Sequence, residues 1–128
     1  MTRRLISSGS PYEPIVGYSR AVVVGQAVHV SGCAPIMPNA DDPPSGSYEQ
    51  AKRCLEIVAA ALENAGASIS DVVRTRVYLT PKASFEDVGR AHGEVFGEVR
   101  PANTTVVVAA LVDPRWLVEI EADAIVDA

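Results

Sequence analysis

The segment Thr105-Val106-Val107-Val108-Ala109-Ala110-Leu111 constrains this chain more than any other. Read as a strand over Thr104–Val112, it offers apolar side chains to both faces. Strands of that kind are normally covered on both sides. Whatever sheet the chain builds must therefore find material for two faces, and the remaining elements determine how much it has.

Those elements follow from periodicity and turn chemistry. Arg3–Ser7 is a short opening strand, and Ser8–Pro14, with its Gly, Ser and two prolines, is a loop. Tyr18–Ser31 reads as a β-hairpin broken at Gly25-Gln26. Gly32–Gly46 is a proline-rich loop. Ser47 and Gln50 fit a capping box that opens a helix. Ala51, Leu55, Val58 and Leu62 give that helix one apolar face, and Gly66 stops it. Asp71–Thr80 is a strand with Val73, Thr75, Val77 and Leu79 on one side and Arg74, Arg76 and Tyr78 on the other. A second helix starts at Ser84, uses Val88, Ala91, Val95 and Phe96, and ends at Gly97. Trp116–Val126 is a last strand with Glu119, Glu121 and Asp123 opposite Val118, Ile120, Ala122 and Ala124.

The order is β-β-β-α-β-α-β-β, an α+β arrangement. Strand–helix–strand occurs twice, so crossover connections and a mixed sheet of six strands follow. Two helices cover only one face of such a sheet. A partner subunit is the simplest cover for the second face of Thr104–Val112, so this segment alone points to a homo-oligomer. With 128 residues, 48% apolar, the chain has material for one core and one domain, residues 1–128.

Composition excludes several functions. A net charge of -5 and scattered bases argue against nucleic acid, whose binding needs a basic stripe. No apolar run is long enough for a membrane span, and no apolar segment follows Arg3-Arg4 as a secretory signal requires, so the expected location is the cytoplasm. Cys33 and Cys54, His29 and His92 lie in no metal-ligand spacing.

Four segments together carry a resemblance. They are Tyr18…Val30-Ser31-Gly32-Cys33-Ala34-Pro35, Asp71–Thr80, Arg100-Pro101-Ala102-Asn103-Thr104-Thr105-Val106, and Leu117-Val118-Glu119-Ile120-Glu121-Ala122. In these the chain resembles the RidA/YjgF family of reactive-intermediate deaminases, formerly described as L-PSP endoribonucleases. The resemblance implies a chorismate-mutase-like fold, a homotrimer with clefts between subunits, and hydrolysis of small imines or enamines to keto acids and ammonia without metal or organic cofactor.

Carried over position by position, the resemblance makes Glu119 the residue that positions or activates water. It places Tyr18, Ser31, Cys33, Asn103 and Thr105 around the substrate, with Thr104 between the last two. The family's carboxylate-gripping arginine falls on Asn103, a neutral amide that cannot make the bidentate pair of a guanidinium. An asparagine common on the family's second helix falls on Gly89. Arg76, Arg74 or Arg100 are candidate substitutes for the anchor, and the bland alternative for Arg76 is pairing with Glu119 or Glu121. By itself Glu119 is a solvated acid, His29 fills a strand face, His92 is a helix-surface residue, Cys33 lines a cleft and Cys54 packs. The expected substrate thus differs from the classical amino-acid-derived imines. The alternatives are a small-molecule-binding trimer or a tailoring or catabolic enzyme, with endoribonuclease activity the least favoured.

Overall fold

The sheet is built from β1 (Arg3–Ile6), β2 (Ala21–Val24), β3 (Ala27–Cys33), β4 (Val72–Leu79), β5 (Ala102–Val107) and β6 (Val118–Ile125). Helices α1 (Ser47–Asn64) and α2 (Phe85–Phe96) connect β3 to β4 and β4 to β5. The computed structural model describes residues 2–127. Its strand order is β1-β2-β3-β6-β4-β5, with β4 and β5 parallel and the other pairs antiparallel. The expected α+β class, element order and mixed six-stranded sheet are all present.

The alternation in β6 divides the sheet. Val118, Ile120, Ala122 and Ala124 are buried under the helices, and Glu119, Glu121 and Asp123 lie partly exposed on the opposite face. Ala51, Leu55, Val58 and Leu62 of α1 and Val88, Ala91 and Phe96 of α2 close the core over that apolar face. Full burial of a Leu, Ile or Phe side chain stabilises by about 1.5–3 kcal/mol, so this single layer carries most of the fold.

Four sequence expectations change. First, Ser47 and Gln50 form no capping box. The N-cap of α1 is Gly46, and Ser47 Oγ instead accepts from the backbone of Ser84 at 2.9 Å. Gln50, 1% exposed, donates to the carbonyls of Pro44 (2.7 Å) and Arg115 (2.9 Å) and accepts from Leu117 N (2.7 Å). Tertiary partners outcompete the local ones because these loops have buried backbone groups to satisfy. Ser84 does cap α2, accepting from Asp87 N.

Second, Val73 does not join the buried face of β4. A register shift between Val72 and Arg74 turns it outward at 45% exposure and puts Val72 inside. Third, Tyr18 precedes the hairpin proper, closing a π-helical turn at Glu13–Gly17, while β3 runs on to Cys33. Fourth, the segment expected to be covered on both faces is the sheet's edge strand, and it ends at Val107. Val107 is 66% exposed and Val112 92%. Among the described residues α2 approaches only the Asn103–Thr105 part of this strand, and Val107 and Val112 stay largely uncovered.

Candidate functional site

The end of β3 creates the first cluster. Pairing with β6 slips between Val30 and Cys33, so Ser31 and Gly32 together oppose Glu121 alone in a bulge. Gly32 leaves the space that the Glu119 carboxyl fills. A Cβ at this position would lie 2.3 Å from Glu119 Oε2. Burial raises the pKa of Glu119; the charge of Arg20 opposes this and that of Glu121 adds to it. A carboxylate so placed is a stronger base than an exposed one.

Arg20 is the residue sequence reasoning missed. It is 8% exposed; its Nη1 donates to Gly32 O (2.7 Å) and to Cys33 Sγ (3.5 Å), and its Nη2 donates to Tyr18 OH (3.4 Å). A signal existed: Arg20 is the only charged residue between Glu13 and His29, set in an otherwise apolar hairpin strand. Cys33 Sγ donates in turn to Ser31 O at 3.2 Å. Burial raises the Cys33 pKa against the influence of Arg20, which favours the protonated thiol. Ser31 Oγ is engaged with Ser19 O at 2.6 Å.

Arg20 and Cys33 line a cavity of about 800 Å³ between α1 and the Ser7–Tyr12 loop. Glu13 holds that loop in place, its carboxylate accepting from Ser8 N, Ser8 Oγ and Ser10 N.

The second cluster lies under α2. Thr105 Oγ1 donates to Asn103 Oδ1 (2.9 Å), Asn103 Nδ2 donates to Thr75 Oγ1 (3.0 Å), and Thr75 Oγ1 meets His92 Nε2 (2.8 Å). Thr75 is fully buried, and its hydroxyl links the Asn103 amide to the His92 imidazole. Burial lowers the His92 pKa. Phe85, Val88 and Gly89 complete a small pocket here, about 110 Å³.

Register separates the two clusters. Asn103 pairs with Thr75 and Thr105 with Val77, on the helix-covered face. Glu119 pairs with Tyr78, on the opposite face. Tyr18, Ser31, Cys33 and Glu119 are therefore brought together around Arg20 and Gly32, while Asn103 and Thr105 are not. Arg76 belongs to neither group. Its Nη1 meets Glu121 (3.3 Å) and Asp123 (3.2 Å), Asp123 also meets His29 Nδ1 (2.7 Å), and Tyr78 donates to Glu121. Arg74 is directed to Thr104 at 3.4 Å. Among the described residues no group of three or more His, Cys, Asp or Glu could hold a metal ion, and no helix is long and apolar enough to cross a membrane.

Comparison with known proteins places this geometry in context. Residues 9–126 match the family described as Endoribonuclease L-PSP. A RutC family protein of Pyrococcus abyssi is 39% identical, over 97% of this chain and 98% of that one. The human protein named 2-iminobutanoate/2-iminopropanoate deaminase is 34% identical, over 98% of this chain and 91% of its own length. A crystal structure from Mycobacterium tuberculosis, described as a member of the YjgF/YER057c/UK114 family, superposes with a TM-score of 0.89 at 42% identity, covering 98% of this chain and all of that one.

Proposed function

Because this chain belongs to the L-PSP (RidA/YjgF, RutC) family, we propose that it is a cytoplasmic, homotrimeric hydrolase that converts a small imine, or its enamine tautomer, to a carbonyl compound and ammonia. The carrying observation is the Glu119 carboxyl seated over Gly32, its pKa raised by burial, beside the buried Arg20. The name of the human relative supplies the substrate class.

In this reading Glu119 takes a proton from water as the water oxygen bonds to the imine carbon. The C=N electron pair moves to nitrogen, which is protonated. The resulting carbinolamine gives up its hydroxyl proton and expels ammonia, leaving C=O. Cys33, Tyr18 and Ser31 shape the site around this step. Asn103 and Thr105 face away from Glu119, so a site holding all of them takes them from two copies of the chain. That separation, together with the largely uncovered edge strand β5, supports the oligomer.

The deciding assay supplies the purified protein with enzymatically generated 2-iminobutanoate or 2-aminoacrylate. Faster release of the 2-oxo acid supports deamination of the classical amino-acid-derived imines, and an unchanged rate removes that classical activity. A second reading, ligand binding without imine hydrolysis, is favoured by Asn103, whose amide is engaged by Thr75 and Thr105. If only Asn103→Arg hydrolyses these imines, that second reading holds.

A further inference from the structure

The cluster under α2 surrounds open space rather than a packed contact. Phe85, Val88, Gly89 and His92 recur at i, i+3, i+4 and i+7, so they share the face of α2 that looks toward β5. Gly89 stands in the middle of that face, inside the helix, where glycine is less favourable than alanine. No close approach requires it: a Cβ there would meet nothing within 4 Å, and its backbone is helical. The missing side chain leaves a space of about 110 Å³ bounded by α2, Val77, Asn103 and Thr105. A complete ligand site takes roughly 300 Å³ or more, so this space holds one end of a molecule.

Its polar lining is uncharged and held in place. Asn103 gives one amide hydrogen to Thr75 Oγ1 and takes the Thr105 hydroxyl hydrogen on Oδ1. Thr75 is tied in turn to His92, whose ring packs on Phe96 with centroids 4.7 Å apart. An amide has two N–H donors and two acceptor lone pairs, so one of each remains on Asn103. Thr105 Oγ1, its proton already given, keeps acceptor capacity alone. Val77, Phe85 and Val88 are apolar, and burial disfavours the charged form of His92, so no cation lines this space among the described residues. A carboxylate only accepts; paired with the Asn103 N–H, it would set its second oxygen against the lone pairs of Asn103 and Thr105. An alkyl end would bury the remaining donor and acceptors unpaired. A primary carboxamide matches both, its oxygen accepting from Asn103 Nδ2 and its NH2 donating to Asn103 Oδ1 or Thr105 Oγ1.

We propose that the pocket between α2 and β5 is a head-group subsite for a primary carboxamide, in which Asn103 and Thr105 determine specificity and Gly89 keeps the space open. That this head group belongs to a substrate of Glu119 rests on the reading given under Proposed function; the subsite itself rests on the pocket. The substrate class so named is an imine or enamine that carries an uncharged carboxamide where an amino-acid-derived imine carries a carboxylate.

The test titrates nitrogen-labelled protein with propionamide and, separately, with propionate, the acid of the same shape, and follows the side-chain amide resonances of asparagine. The Asn103 pair is assigned by its loss in Asn103→Asp. The expected result is a saturating shift of that pair with propionamide, and binding of propionate weaker by about tenfold or more. Gly89→Leu fills the space and supplies a better helix former, so it melts at or above wild type while weakening propionamide by about tenfold or more. Asn103→Asp removes the donor and weakens propionamide by about tenfold or more as well. Should either variant fail to fold, the wild-type shift and the amide-to-acid ratio decide. An Asn103 pair that does not shift, equal affinity for amide and acid, or a folded Gly89→Leu that binds propionamide as wild type does overturns the proposal. Hydrolysis of 2-iminobutanoate is measured separately. Propionamide binding at Asn103 without that hydrolysis keeps the subsite and removes the classical deamination; hydrolysis with an unmoved Asn103 pair overturns the subsite and keeps the deaminase reading.

Discussion

Replacing Gly32 by Ala tests whether the position of the Glu119 carboxyl matters. The new Cβ would lie 2.3 Å from Oε2, 3.2 Å from Cδ and 3.5 Å from Cγ. Restoring ordinary contact moves the carboxylate back by about 1 Å. Gly32 has no positive φ, so alanine fits the backbone, and the clashing atoms are the far end of a flexible side chain. The altered rotamer costs about 0.5–1.5 kcal/mol, and the lower entropy of the unfolded alanine chain returns about 0.4–1 kcal/mol. Stability therefore changes by less than about 1 kcal/mol, a few degrees of melting temperature for a chain of this size. Catalysis is far more sensitive: a displacement of about 1 Å costs on the order of a hundredfold in rate. The assay is 2-oxo acid release from 2-iminobutanoate, with melting followed on the same samples. We expect Gly32→Ala to melt near wild type while kcat falls about a hundredfold, and Gly32→Ala/Glu119→Gln to be no slower than Glu119→Gln alone. A folded Gly32→Ala with wild-type kcat, or losses that multiply in the double variant, refutes the idea that Gly32 acts by placing Glu119.

Other perturbations probe the same architecture. Burial raises the Glu119 pKa, so its contribution to stability is present below the ordinary carboxylate value and is lost as pH rises through the folded value. Glu119→Gln should therefore melt higher than wild type at neutral pH while hydrolysis falls about a hundredfold or more, and wild-type kcat should rise with pH through a midpoint above that of an exposed glutamate. Burial lowers the His92 pKa, so its contribution is present above the ordinary histidine value and is lost as pH falls through the folded value. His92→Gln should flatten that acid limb in melting curves taken across pH. Gln50→Leu strips hydrogen bonds from three backbone groups of Pro44, Arg115 and Leu117, and should lower the urea midpoint by the equivalent of about 2–4 kcal/mol with an unchanged slope.

Most of the architecture is legible in the chain because it is local. The four-three-four spacing of Ala51, Leu55, Val58 and Leu62 has one helical solution, and the β6 alternation has one strand solution. Gly66, at φ +84°, adopts the left-handed conformation a helix stop requires. The motif around Glu119 likewise names a candidate site residue without any structure. Ser47 and Gln50 were misread because the capping-box pattern carries no information about Ser84 or Leu117, which claim those side chains from 37 and 67 residues away. The apolar strand was read too long: β5 ends at Val107, because apolarity along Thr104–Val112 does not record where strand pairing stops.

By itself, then, the sequence determined the element order, the buried faces of both helices and of β6, the family, and the identity of the candidate acid, Glu119. Only the tertiary structure decided how these residues meet. Two register slips, at Val30/Cys33 and Val72/Arg74, change which side chains share a face, because one unpaired residue in a ladder reverses the alternation beyond it. The first slip opens the space over Gly32 that Glu119 fills, and beside it folding buries Arg20. Strand pairing also set Asn103 and Glu119 on opposite faces of one sheet. Bulges, buried charges and strand partners depend on contacts between distant segments, and periodicity along the chain does not contain them.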